Sequence, residues 1–328
     1  MEKIRIISSG TPELSPLLEN EKEVFLVYDR NVAGAAAEIS AMLGDKVVGS
    51  WPVEATEANK TMDTILSIER SMMLSGLTRR GFVLAVGGGI TTDVAGFAAS
   101  IYKRGVRFAN VPTTLLAMVD AAIGGKTGVN LDRYKNMIGA FHQPEFILID
   151  SRFLETLPER EYRDGLAELL KTFLIADADL YEKALGGISE HLILEAGKIK
   201  ASVVEEDPFE KGRRIILNLG HTFAHAIERL SEGAVSHGEA VSMGIILAGR
   251  LSDRTGVADG LEKKLRRDFE SVGLPTECPF GIEEMAGAMQ MDKKSAGKGL
   301  VQFVLLEAPG RPVAVKMKIE NVCEELLR

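Results

Sequence analysis

Five apolar residues run without a break in Phe82-Val-Leu-Ala-Val86, and three glycines, Gly87-Gly88-Gly89, close the run. A strand with one wet face alternates apolar and polar side chains. An unbroken apolar strand is covered on both faces, as in a parallel sheet sandwiched by helices. Val24-Phe-Leu-Val-Tyr28, ending at Asp29, reads the same way, as do residues 107–111 and Phe146-Ile-Leu-Ile149; Val47-Val48 opens a further strand and residues 1–9 a short one. Helical patterns fill the gaps: an Ala-rich stretch over 32–43, residues 60–74 with Met62, Ile65, Leu66, Ile68 and Met72 on the apolar positions, and residues 91–102. This alternation predicts a Rossmann-like α/β domain with a mostly parallel sheet, the usual setting for a nucleotide.

Near Pro158 the texture changes, and to about Met291 the periodicity is almost wholly helical. The chain therefore divides into an α/β domain over 1–157 and a mainly α-helical domain over 158–328, whose tail carries two strand-like runs around Pro309-Gly310. A length of 328 residues gives each domain enough chain for its own core. A net charge of −8 argues against nucleic acid and against membrane surfaces as partners, while leaving room for an anionic substrate in a locally basic pocket. No apolar run reaches spanning length, the first residues lack a cleavable leader pattern, and two cysteines, Cys278 and Cys323, fit a reducing compartment. A cytoplasmic protein is expected.

Several polar residues stand where this pattern would place a ligand. Glycines at a strand end before a helix let a pyrophosphate approach backbone N–H groups, or simply make a tight turn. Asp93 is a helix-start charge or a ligand contact, and Asp29 is a ribose contact or a cap. Gly124-Gly-Lys-Thr127 is similar to the end of a P-loop, but Asp120 stands where that motif needs glycine, so an NTPase is rejected and Lys126 stays as an anion contact. Lys135-Asn136 is placed at the start of a loop. Glu168 and Lys171 share a face of the helix over 162–174, as a surface ion pair or as a metal ligand beside a cation. Lys200 lies on a helix over 188–205, Arg213-Arg214 follow it, and Asp292-Lys-Lys294 sits near the tail.

Three of the five histidines fall in one window, Asn218-Leu-Gly-His-Thr-Phe-Ala-His-Ala-Ile-Glu228 followed by Ser236-His-Gly-Glu-Ala240. Gly220 marks a helix start, which sets His221 and His225 one turn apart. A second helix follows, with His237 near its start. Two adjacent helices can bring His221 and His237 to one point. Two imidazoles and a carboxylate with an open position are a catalytic zinc arrangement; capping or core histidines are the plain alternative. No Glu lies between the helical pair as in H-E-x-x-H, so the third ligand comes from elsewhere.

The ordered motifs from Gly87 to Lys294 resemble the 3-dehydroquinate synthase family of sugar-phosphate cyclases: Gly-Gly-Gly-x-x-x-Asp, Arg104-Gly105, Val-Pro-Thr-Thr-Leu-Leu, Gly-Gly-Lys-Thr, Lys-Asn-x-Ile-Gly-Ala-Phe-His-Gln-Pro, Leu-Ala-Glu-x-x-Lys, the histidine window, His-Gly-Glu-Ala-Val and Asp-Lys-Lys. The resemblance implies an N-terminal NAD-binding domain, a C-terminal helical domain and a homodimer. It implies Glu168, His221 and His237 as ligands of Zn²⁺ (or Co²⁺). It implies a substrate site of Asp120, Lys126, Lys135, Asn136, Lys171, Lys200, Arg214, Asn218, His225 and Lys293 (or Lys294), with Arg104 reaching a phosphate in the partner subunit's site. It implies NAD contacts from Asp29, Asn31, Glu57, Lys60, Gly88, Gly89, Asp93, Thr113, Thr114, Lys126, Lys135, Phe153, Thr156 and Glu161. The chain departs from the family pattern before Glu57, where Pro-x-Gly-Glu is missing, and at Thr92 and Tyr134, where glycine is common.

The implied substrate is 3-deoxy-D-arabino-heptulosonate 7-phosphate, whose carboxylate and phosphate account for many basic residues in an acidic chain. The implied course is oxidation by NAD⁺, loss of phosphate, re-reduction, ring opening and aldol closure, with His225 as proton relay. Alternatives are another cyclase of the 2-deoxy-scyllo-inosose or valiolone type, or a metal-dependent polyol dehydrogenase of the glycerol dehydrogenase kind.

Overall fold

The computed structural model describes residues 4–8, 10–132, 134–293 and 300–327, with the backbone alone for 291–293. It divides into two compact units, residues 1–162 with 193–201, and residues 163–192 with 202–328. The chain thus passes from one unit to the other at 162/163, 192/193 and 201/202.

The first unit holds β1 (Ile6–Ser8), α1 (Leu14–Leu17), β2 (Val24–Asp29), α2 (Ala33–Leu43), β3 (Val47–Val53), α3 (Met62–Leu74), β4 (Phe82–Gly87), α4 (Gly89–Ile101), β5 (Arg107–Pro112), β6 (Lys126–Leu131), β7 (Tyr134–Phe141) and β8 (Ile147–Ile149). Six strands form a parallel sheet in the order β1-β8-β5-β4-β2-β3. Its central strands β2 and β4 are apolar along most of their length because they serve two cores. Phe25 and Val27 of β2 and Val83 and Ala85 of β4 face a cluster with Ile65, Ile68 and Met72 of α3 and Val94, Ala95 and Phe97 of α4. The alternate residues Val24, Leu26, Phe82, Leu84 and Val86 face Leu14, Ile39 and Leu43. So α2 covers one face and α4 the other.

That arrangement fixes where a ligand can enter. From β2 the chain steps outward to β3, then returns across β2 to β4 and on to β5. The connections leaving β2 and β4 diverge to opposite faces, which opens a crevice at their C-terminal ends. Asp29 and Gly87 end those two strands.

Lys135 and Asn136, expected in a loop, lie instead in β7, paired antiparallel with β6. The turn is made by Asp132 in the left-handed region (φ 53°), and a register shift between Val129 and Leu131 accommodates Asn136 at φ 55°. Two polar residues hide a strand when a bulge, rather than apolar alternation, sets the register.

The second unit holds most of α5 (Glu159–Leu174), α6 (Ala178–Leu185), the two ends of α7 (Glu190–Glu206), α8 (His221–Leu230), α9 (His237–Arg254), α10 (Leu261–Ser271), α11 (Ile282–Lys293), the antiparallel hairpin β9 (Leu300–Ala308) and β10 (Arg311–Lys318), and α12 (Ile319–Leu327). The helical texture expected after Pro158 is present, with the tail strands as a hairpin. The α8–α9 contact is unusually close. Gly220 caps α8 at φ 76°, and a Cβ there would lie 2.8 Å from the Ile245 backbone nitrogen. Only glycine meets both demands.

Candidate metal centre and nucleotide crevice

In the second unit Glu168 and Lys171 are both fully buried, and Lys171 Nζ lies 2.5 Å from Glu168 Oε2. The pair is therefore no surface ion pair. Glu168 Oε1 faces two imidazoles, with His237 Nε2 at 3.1 Å and His221 Nε2 at 3.3 Å. The two rings are 5.7 Å apart between centroids, and one ligand atom from each of the three residues falls within 4.8 Å of the others.

Each imidazole is backed on its far side. His221 Nδ1 donates to the Leu219 carbonyl at 3.2 Å, which leaves Nε2 as the lone-pair nitrogen. His237 Nδ1 lies 3.6 Å from Glu228 Oε1. An acceptor behind a ligating histidine is the usual way its tautomer is set. Sequence reading did not single out Glu228, although it sits two turns after His221 on the same helical stripe.

Electrostatics favour a cation. Burial alone would push the Glu168 carboxyl up, but Lys171 and the two histidines hold it well below the ordinary carboxylate range. Burial would likewise lower His237, yet Glu168 and Glu228 push its pKa up to about 10. Beyond the Lys171 ion pair, Glu168 Oε2 accepts no hydrogen bond among the described residues. A buried carboxylate that draws a proton onto His237 is short of positive charge. Two nitrogens and one oxygen converging on a point fit a tetrahedral divalent metal with one position left over.

His225 follows one turn after His221, its ring edge-on at 5.6 Å. Arg214, 3% exposed, bonds the Pro208 carbonyl at 2.9 Å, and Asn218 donates to Glu210 at 2.8 Å; both belong to the 3₁₀ turn Arg213–Asn218 ahead of α8. Lys293 ends α11, but its side chain, and all of Lys294, lie outside the described residues.

In the first unit the glycine turn is built as a cradle. Gly88 stands at the start of α4 without a side-chain cap, and a Cβ on it would come 3.0 Å from Thr114. The first N–H groups of α4 thus lack the side-chain acceptor that usually satisfies them. Gly87 accepts from the Thr113 amide at 3.0 Å, which brings the end of β5 alongside. Asp29 caps its own turn, accepting from the Asn31 amide at 2.9 Å.

Lys60 is 5% exposed and bonds both Asp93 at 2.5 Å and Asn136 at 2.6 Å. Burial raises the Asp93 pKa, and Lys60 opposes it. Asn130 joins this group to Glu57 at 2.7 Å and accepts from the Asn136 amide at 2.9 Å. Lys200 reaches both the side chain and the carbonyl of Asp120, at 2.7 and 2.6 Å, on a π-turn over Ala117–Ala121. A pocket beside them is lined by Thr92, Asp93, Asn110, Gly125, Lys126 and Thr127. Lys126 and Lys135 are exposed; Phe153 packs on the sheet's second core, Thr156 ends the turn Ser151–Thr156, and Glu161 lies in the first turn of α5. Arg104 projects from a tight strap in which Lys103 and Arg104 both have positive φ, 49° and 72°.

Residues 50–164 match the 3-dehydroquinate synthase N-terminal domain family, and residues 165–295 match the C-terminal one. The chain is 45% identical over 276 residues to 3-dehydroquinate synthase of Thermococcus kodakarensis, covering 83% of this chain and 77% of that one. It is 42% identical over 285 residues to the enzyme of that name from Halalkalibacterium halodurans, with the same coverage. Among solved structures it is similar to the 2-epi-5-epi-valiolone synthase of Streptomyces hygroscopicus with NAD⁺ and Zn²⁺ bound, at TM-score 0.89 and 28% identity over 100% of this chain and 96% of that one. A 2-deoxy-scyllo-inosose synthase with NAD⁺ and Co²⁺ gives TM-score 0.86 at 25% identity, covering 98% and 95%.

Proposed function

The chain belongs to the 3-dehydroquinate synthase family, and from that premise we infer that it converts 3-deoxy-D-arabino-heptulosonate 7-phosphate to 3-dehydroquinate and phosphate, a carbon–oxygen lyase reaction of aromatic amino-acid biosynthesis. It uses NAD and a divalent metal, as the cyclases of known structure do. The observation that carries this reading is Glu168, fully buried and facing the Nε2 atoms of two histidines.

Glu168, His221 and His237 would hold the metal. When bound, the metal would supply polarisation of substrate hydroxyls and NAD⁺ would supply hydride acceptance and return. Everything else falls to the chain's own groups. Lys126, Lys171, Lys200, Arg214 and a lysine of the 293–294 pair neutralise the carboxylate and phosphate and orient the sugar. Asp120, Asn136 and Asn218 accept from and donate to its hydroxyls, and Lys135 lies at the cofactor end. His225 carries an imidazole that can take up or give a proton, and moves one to or from a substrate oxygen. The cradle at Gly88 and Gly89 with Thr113 and Thr114 takes the pyrophosphate. Asp29, Asn31, Glu57, Lys60, Asp93, Phe153, Thr156 and Glu161 surround the remainder of NAD. The domains over 1–157 and 158–328 thus divide the cofactor from the metal. A homodimer, in which Arg104 meets a phosphate bound by the partner subunit, and a cytoplasmic setting complete the reading.

Phosphate release and product NMR after mixing the protein with the heptulosonate phosphate, NAD⁺ and Zn²⁺ test it. Stoichiometric phosphate and 3-dehydroquinate with no net NADH is the expected result; net NADH would make it a polyol dehydrogenase. Relatives at 42% and 45% identity support the dehydroquinate product over the valiolone type, whose representative is 28% identical.

A further inference from the structure

His237 opens its helix, as His221 opens α8. It is the first residue of α9, where the backbone is free to fray, and its ring must still meet Glu168 on another helix. The residues on either side of it are clasped by one carboxylate. Asp164 Oδ1 accepts from the Ser236 hydroxyl and from the Gly238 amide, the latter at 3.1 Å. Asp164 is 7% exposed and lies one helical turn before Glu168 on α5. Gly238 has no room for a side chain, since a Cβ would stand 2.2 Å from the Asp164 Cα. Ser236 closes the same turn from its own side in a capping box with Glu239. The carboxylate that grips the His237 turn and the carboxylate that faces the His237 ring therefore project from the same face of one helix.

We propose that Asp164 is a positioning residue for the metal centre, holding residues 236–238 against α5 so that the His237 Nε2 and Glu168 oxygen keep their mutual distance. The claim rests on the metal-centre reading above. It concerns the spacing of two ligands, which a residue of merely structural value would not control. Ligand supports of this kind change metal affinity by about 10- to 100-fold when removed.

Zinc affinity by chelator competition, the visible spectrum of the Co²⁺-loaded protein, and the melting temperature of the metal-free protein test it. Asp164→Ala should weaken Zn²⁺ by about 10- to 100-fold and alter the Co²⁺ bands. Asp164→Asn, which keeps an acceptor oxygen in place, should restore affinity close to that of the parent. Ser236→Ala, which deletes one arm of the clasp, should fall between them. A folded Asp164→Ala protein with parental affinity and spectrum overturns the proposal, as does equal weakening by the Ala and Asn variants. If Asp164→Ala does not fold, Ser236→Ala decides by the same readouts, parental affinity and spectrum being the overturning result. A parent protein that takes up no stoichiometric zinc instead sinks the metal centre itself, and the clasp with it.

Discussion

At the ends of β2 and β4 the protein prepares a place for charge mainly with backbone, whereas in the helical unit it does so with side chains. Gly88 and the start of α4, which has no side-chain cap, offer backbone N–H groups that carry no net charge. Glu168 and Lys171 have no such neutrality. Both are buried, each depends on the other, and the two histidines share the burden. The first device brings no buried charge with it; the second sets buried charges against one another. The two regions should therefore fail differently when altered.

The largest effect is expected from Glu168→Ala, which strands the Lys171 ammonium in the core. Stability should fall by about 3–5 kcal/mol in denaturant titration, with loss of stoichiometric zinc and of turnover. His221→Ala should likewise lose metal and turnover but keep most of the stability and the NAD⁺ affinity. Retained stoichiometric zinc would break the assignment of His221. Next comes Gly87→Ala, whose new Cβ would stand 2.6 Å from Thr91. A loss of about 1–3 kcal/mol with zinc binding intact would confirm that the crevice is backbone-built.

Lys60→Met sharpens the contrast. It removes the ammonium that opposes burial at Asp93, so NAD⁺ affinity measured by calorimetry should drop by roughly tenfold while zinc affinity holds. Equal damage to both would mean the two regions are not independent.

The smallest effect is assigned to Asp150→Asn. Burial would raise the Asp150 carboxyl, but Arg152 and the Thr11 and Arg152 amides hold it below the usual range. A lowered carboxyl stabilises the fold above its unfolded value near 4 and ceases to do so as pH falls through its folded value. Urea midpoints of parent and variant should differ by under about 1 kcal/mol at neutral pH and converge on acidification. A gap that widens in acid would contradict the sign.

What the sequence disclosed follows the same contrast. Unbroken apolar strands such as residues 82–86 dictate burial on both faces, and with it the parallel sheet and its glycine-lined end. The rarity of histidine exposed the window from His221 to His237. That Glu168 faces both rings was not legible from spacing, because Glu-x-x-Lys on an amphipathic helix is most often a surface pair; the family resemblance supplied it. Lys60 meeting Asn136 depends on the register of the β6–β7 hairpin, which a bulge and a left-handed Asp132 decide. Glu228 shares a helical stripe with His221 but, like Asp164, acts through another residue, which spacing alone does not reveal.

The three passages of the chain between its units have a consequence for anyone who would dissect it. The family boundary near residue 164 invites a single cut, yet residues 193–201, with Lys200, would then leave with the wrong fragment. An amino-terminal half made that way lacks the lysine that grips Asp120. Swapping halves between relatives therefore transplants a stitch from one fabric into another, and a chimera must carry both ends of that thread from the same parent.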